Sequence, residues 1–262
     1  SYYTEALEFY KNNQYDQEYY ILLRMASMVF GEELALPMEE TAAQFFRKHH
    51  YVRYLAETMH NIATDSLYIG ELEKAENSVT EAIELFDSFG SAAVHYSLNT
   101  KGIMEMVLHK DYQKAVGTFK EALKYKIEPY SEIAVRTNML NCLNVLGDFT
   151  KAMNQLECID KLIELQASEL VPVYAVYQNL NWAFYYFHLK EYDKCLQKLD
   201  ICLALEHMER RFKYICKTLQ NQTKKALGLR TRNTAGTAPM KIYELCLNNS
   251  FYIATLRFYE SI

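Results

Sequence analysis

One short pattern recurs four times along this chain: Gly70-Glu-Leu-Glu-Lys-Ala75, Lys110-Asp-Tyr-Gln-Lys-Ala115, Gly147-Asp-Phe-Thr-Lys-Ala152 and Lys190-Glu-Tyr-Asp-Lys-Cys195. Each copy is a turn, then an aromatic residue or leucine, then a lysine and a small residue, and the small residues follow one another at intervals of 40, 37 and 43. A unit of this size cannot bury its apolar face alone. Copies therefore stack side by side, each touching its neighbours, and the chain is confined to a solenoid with a long exposed face whose default use is binding.

The spacing around each turn is helical. The small residue is followed at +4 by a bulky residue and at +7 by another apolar one, as in Ala75, Val79, Ala82; Ala115, Phe119, Ala122; Ala152, Leu156, Ile159; and Cys195, Leu199, Cys202. Residues four and seven apart share one helix face, and small side chains there let a neighbouring helix come close. Each unit is thus a helical hairpin. Only eight Gly and four Pro in 262 residues, half of them hydrophobic, leave little to interrupt helices, so an all-α chain is expected. Pro37, Pro129 and Pro172 mark helix starts, where a missing N–H costs nothing, and Gly70, Gly90 and Gly147 mark ends. The pattern predicts paired helices at 51–69 with 71–87, 91–109 with 111–126, 130–146 with 148–165, and 170–189 with 191–206, followed by a helix over 207–227.

These residues resemble the tetratricopeptide repeat, in which an Asn-Leu-Gly segment of the first helix precedes a Gly-Asp-Tyr-x-x-Ala turn. Asn61-Ile-Ala63, Asn138-Met-Leu140 and Asn181-Trp-Ala183 fill the first segment over a match spanning about residues 51–206. The resemblance implies a right-handed superhelical solenoid of tetratricopeptide-like hairpins. Two features depart from the family: the intervals exceed its usual 34 residues, and Gly102 of the second unit sits one residue out of register, leaving Asn99 and Thr100 unassigned. Longer helices or loops accommodate both.

Three regions are expected: degenerate cap helices over 1–50, four repeats over 51–206, and a C-terminal part over 207–262. In the first, Asn13-Gln-Tyr15 reads as a turn with Leu22 and Met25 at apolar positions; in the last, a capping helix is followed by a linker near 228–239 and terminal helices. Met208, Phe212, Ile215, Leu219 and Ala226 form the capping helix's apolar stripe. Arg210, Arg211, Lys213, Lys217, Lys224 and Lys225 lie largely off it, as a solvated face or a basic docking surface. The chain opens on a helical pattern without methionine, as a piece cut from a longer protein would.

A net charge of −5 supplies no general attraction for nucleic acid, and no apolar run approaches the length of a membrane span. The six cysteines contain no C-x-x-C pair and fall mostly at apolar helix positions, so they read as buried free thiols in a reducing cytosol. No phosphate-cradling glycine loop, no H-E-x-x-H and no nucleophile elbow occur. No catalytic residue, metal or cofactor is expected. His49-His50 reads as an exposed helix end.

In the resembled family the first helix of each repeat lines the concave face through the consensus Asn slot and its neighbours. Carried onto this chain, the resemblance names His60, Asn61, Thr64 and Tyr68; Thr137, Asn138, Asn141 and Asn144; and Tyr177, Asn181, Phe184 and His188. Amides there would hydrogen-bond a bound chain and aromatics would anchor it, unless the latter only pack between helices. Co-chaperone repeats that hold a terminal carboxylate place Lys and Arg at slots which here carry His60, Thr64, Thr137 and Leu180, so that subtype is disfavoured. The run from Leu85 to Gly102, with Lys126-Ile-Glu-Pro-Tyr130, resembles repeats attached to bacterial STAND NTPases. That resemblance implies a cytoplasmic, non-enzymatic sensor of a protein such as a phage structural protein, joined to a nucleotide-binding module that oligomerises on activation. The alternatives are the peptide-binding half of a quorum-type transcriptional regulator and a passive assembly scaffold.

Overall fold

The computed structural model describes residues 2–29, 31–165, 171–205, 208 and 210–229, and the predicted linker beyond 229 and the terminal helices lie outside them. The described residues form twelve α-helices: α1 Tyr2–Asn12, α2 Asp16–Ser27, α3 Glu32–Lys48, α4 Val52–Ile69, α5 Leu72–Ser88, α6 Val94–Val107, α7 Tyr112–Ala122, α8 Pro129–Leu146, α9 Phe149–Leu165, α10 Val171–His188, α11 Tyr192–Ala204 and α12 Arg210–Ala226. No strand occurs among them. The all-α expectation holds, three of the predicted hairpins, α4 with α5, α8 with α9 and α10 with α11, pack as pairs with bounds within a few residues of those expected, and helices of 17 or 18 residues in most repeats account for the long intervals.

Two compact units divide the chain. Among the described residues, one runs to Met104 and includes Lys124–Ile127; the other takes Glu105–Leu123 and the described residues from Glu128 to 229. In the first unit α1, α2, α3, α4 and α5 pack in chain order. In the second, α7 packs on α8, α8 on α9, α9 on α10, and α10 on α11. Here α8 also meets α10, the first helix of the next hairpin, and α12 closes on α10 and α11.

The recurring motif does three jobs. Its first residue takes a left-handed backbone to reverse the chain, with φ of 89° at Gly70, 55° at Lys110, 75° at Gly147 and 61° at Lys190. Glycine meets this geometry without steric cost, whereas the two lysines accept strain. The motif lysine pairs back onto the acid of the turn: Lys74 with Glu71 at 2.6 Å, Lys194 with Glu191 at 2.6 Å, and Lys151 with Asp148. The small residue, whether Ala75, Ala115, Ala152 or Cys195, is completely enclosed, and so are Ala82, Ala122, Ile159 and Cys202 at +7. At +4, Val79, Phe119, Leu156 and Leu199 complete the buried stripe.

The register slip of the second unit is absorbed at the end of α6. In the other three repeats the acid of the turn donates its N–H five residues back, from Glu71 to Ser66, Asp148 to Leu143 and Glu191 to Tyr186. Asp111 instead reaches six back, to Glu105 O at 2.9 Å. One extra residue is looped out, so Thr100 takes the Asn slot and Gly102 the slot of Ala63, Leu140 and Ala183. Lys114 follows the same change: Asp111 caps its backbone N–H, and its ammonium turns to the buried Glu105 at 3.3 Å.

Four expectations are corrected. Pro37 lies inside α3 and not at its start. Met25 is 40 % exposed and Leu22 only half-buried, because α2 turns Leu23, Ala26 and Ser27 inward. The apolar partner of α2 is α3, where Ala35, Ala42 and Phe46 occupy the positions of Ala75, Ala82 and Phe86 forty residues on, and Glu39 stands in for Val79. Glu39 is fully enclosed and accepts from Ser27 Oγ at 2.8 Å. In α12, Phe212, Ile215, Cys216, Leu219 and Thr223 are buried while Ala226 is exposed, on the last turn, which closes at Gly228 with φ 71° and a Leu229 N–H to Lys224 O bond of 2.9 Å. His49 and His50 form an exposed helix end, as read from the sequence.

Candidate functional site

The slots on the first helices of the hairpins are occupied by polar residues that mostly face protein. In the second unit, Thr137 and Asn138 on α8 and Asn181 on α10 are buried, and Asn181 donates from Nδ2 to Thr137 Oγ1 at 3.1 Å. One repeat thereby pins its first helix to that of the next. A buried amide–hydroxyl bond fixes register as well as contributing energy, because each partner left alone would cost more than the pair returns. Asn144 is also buried, with neither amide atom hydrogen-bonded. Tyr177 packs edge-on against Phe212 of α12 with ring centres 5.5 Å apart, and Phe184 is enclosed. Asn141 and His188 stay half-open, and burial holds His188 below the usual imidazole range.

In the first unit, His60, Asn61 and Thr64 on α4 are buried, whereas Tyr68 is 47 % exposed. Thr64 Oγ1 bonds back to Asn61 O at 2.8 Å, spending its hydroxyl on its own helix. His60 Nδ1 lies 3.2 Å from Ser97 Oγ of α6. Enclosure, with a smaller contribution from neighbouring His95, pushes the His60 pKa down to about 4, so its imidazole is neutral near pH 7. The structure thus joins Thr137 to Asn181. Of the twelve residues it leaves Tyr68, Asn141 and His188 reachable from solvent.

His60 also forms part of a cavity of about 260 Å³ that sequence reasoning missed. Arg24 and Met25 of α2, with Met28 just past its end, supply one wall. Glu57 joins His60 on α4, and Phe86, Ala93 and Tyr96 close the remainder. Arg24 Nη2 lies 3.2 Å from Glu57 Oε2, and Arg53 Nε reaches Glu57 Oε1 at 3.3 Å, so two guanidinium groups share one carboxylate. Arg24 Nε is enclosed without a hydrogen-bond partner. No local motif connects these residues. They meet only because α2, α4 and α6 are stacked, and only the row position of His60 pointed toward the place.

The described cysteines, Cys142, Cys158, Cys195, Cys202 and Cys216, are free thiols, and Cys246 lies outside the described residues. Burial pushes the Cys142 thiol up to about 12 and Cys195 up to about 11, while Cys202 is raised by its hydrogen bond with Cys216 and by burial. Among the described residues no group of three or more His, Cys, Asp or Glu is placed to hold a metal ion. None of the described helices is long and apolar enough to cross a membrane.

No protein-family model matches the chain, and no curated protein matches it. Thirteen chains of solved structures are similar. One belongs to the crystal structure of PilW, a widely conserved type IV pilus biogenesis factor, which is 15 % identical with a TM-score of 0.54, over 86 % of this chain and 84 % of that chain. PilW is itself a helical repeat protein, and the likeness fits a tetratricopeptide-like repeat fold.

Proposed function

We propose that this chain is a non-enzymatic recognition module that holds a protein partner along the first helices of its hairpins. The observation carrying the proposal is the buried Thr137–Asn181 bond between successive first helices. It spends the inner polar row of the second unit on fixing adjacent helices, and what remains reachable there, Asn141 and His188, is presented from an ordered support; in the first unit the exposed member of the row is Tyr68. A preordered surface loses little conformational freedom on binding, which favours recognition of a folded or extended polypeptide. The similarity to PilW supports the repeat fold beneath this role.

In its more specific form, the module is the cytoplasmic target-sensing part of a STAND-type NTPase, its target a foreign protein such as a phage structural protein, with oligomerisation following engagement. Support for that form is the resemblance of the Leu85–Gly102 run alone. Recognition is tested by replacing Tyr68, Asn141 and His188 together with alanine: target engagement should weaken at least tenfold with helicity retained, and unchanged engagement would refute the assignment. The sensor form expects the full-length protein to hydrolyse nucleotide faster and to oligomerise when the target is added. A full-length chain carrying a helix-turn-helix in place of a nucleotide-binding module would replace it with the regulator.

A further inference from the structure

We infer that the cavity beside His60 is an anchor pocket for one compact apolar side chain of a partner polypeptide, together with the carbonyl or carboxylate oxygen next to it. The inference deepens the recognition reading and rests on it.

Size sets the first limit. At about 260 Å³ the space falls below the range of pockets that hold whole cofactors or drug-sized molecules, roughly 300–1,000 Å³. A single side chain fits that scale. The lining sets the second: Met25, Met28, Phe86 and Tyr96 give an apolar wall, and methionine adapts its shape to different apolar guests. Met25 is 40 % exposed, which leaves the cavity an open rim rather than a sealed core void. Anchoring of an aliphatic or aromatic residue in such a pocket carries much of the energy of protein interfaces.

The third limit is electrostatic. Glu57 engages one nitrogen of the Arg24 guanidinium and is itself shared with Arg53, while Arg24 Nε has no partner. The planar guanidinium carries five N–H donors in a fixed fork, so Arg24 retains donors for an acceptor brought by a guest. With two cations against one carboxylate, the surplus is positive. His60, neutral near pH 7, adds no competing charge. An apolar group bearing an oxygen acceptor meets all three conditions; a cationic guest meets none of the electrostatic ones.

The test uses the described chain with methyl-labelled methionine, Met25 and Met28 being assigned through their leucine variants. Two probes are titrated: N-acetyl-leucine N-methylamide, which mimics an internal residue, and N-acetyl-leucine, which mimics a C-terminal one. Saturable shifts of both methyl signals are expected, at millimolar concentration as befits fragments of this size. The stronger probe then identifies which source the pocket prefers. Ala93→Met, which fills the cavity, should weaken binding at least tenfold, and Arg24→Gln should weaken it severalfold while the helical circular dichroism is kept. Methyl signals that stay still with both probes, or Ala93→Met binding as well as the parent, would overturn the pocket. Should Ala93→Met lose its helicity, unchanged binding by Arg24→Gln still refutes the role given to Arg24. Neither probe needs the natural partner, so a failure here is separable from a failure of the alanine triple variant to lose its target.

Discussion

Acidification should unload this fold through His60. In the native chain its pKa is held at about 4 against an ordinary 6.5, first by enclosure and then by His95. The unfolded chain takes up a proton as pH falls through 6.5, while the native chain refuses it until about 4. Stability is therefore complete above the unfolded value, declines across the window between the two, and levels off below the native one. At about 1.36 kcal/mol per pH unit the loss reaches about 2 kcal/mol at pH 5 and about 3 kcal/mol at pH 4. That is a large share of the roughly 5–15 kcal/mol of an ordinary domain. Urea unfolding of the parent and of His60→Gln, followed by circular dichroism from about pH 8 to pH 4, isolates the effect, because carboxylates titrate alike in both. The parent should lose about 3 kcal/mol more than the variant over this range. Parallel profiles, differing by less than about 0.5 kcal/mol, would mean that His60 titrates normally and is not enclosed between α4 and α6.

Further outcomes follow from the repeat geometry. Gly147→Ala, at φ 75°, should destabilise by about 1–2 kcal/mol, whereas Lys190→Gly, at φ 61°, should stabilise by up to about 1 kcal/mol, both read as urea midpoints. Asn181→Ala leaves the Thr137 hydroxyl buried without its donor and should cost about 1–3 kcal/mol. Iodoacetamide near pH 8 followed by mass spectrometry should modify the half-buried Cys158 well before Cys142 and Cys195, whose thiols burial holds protonated.

The fold was legible because its signals are local. A left-handed turn, an acid three residues ahead of a lysine, a small residue at 0 and an apolar one at +7 all act within one hairpin, so Ala75, Ala115, Ala152 and Cys195 could be placed at helix contacts from spacing alone. Even the slipped Gly102 was visible, although its cause, one residue looped out before Asp111, needed the backbone hydrogen bond to Glu105. The N-terminal copy was obscured by Glu39, a carboxylate in a slot that the other units fill with Val79, Phe119, Leu156 and Leu199. Its Ser27 partner belongs to another helix, so no periodicity rule accepts it as core. The candidate site was less legible for the same reason. Slot position names the side of the helix, but it does not say which of two neighbouring slots is enclosed: Asn138 is buried and Asn141 half-open. The cavity, assembled from Arg24, Glu57 and Tyr96 on three helices, leaves no mark on the sequence.

Site-specific photo-crosslinking tests the recognition role most directly. A benzophenone amino acid is placed at Tyr68 or Asn141 on the first helices, or at the exposed Thr80 on α5 or Glu157 on α9 of the second helices. The full-length protein is then irradiated in cells in which it is active. A discrete crosslinked polypeptide is expected from positions 68 and 141 and not from 80 and 157. Crosslinks confined to 80 and 157, or of equal yield at all four, would contradict a binding surface on the first helices.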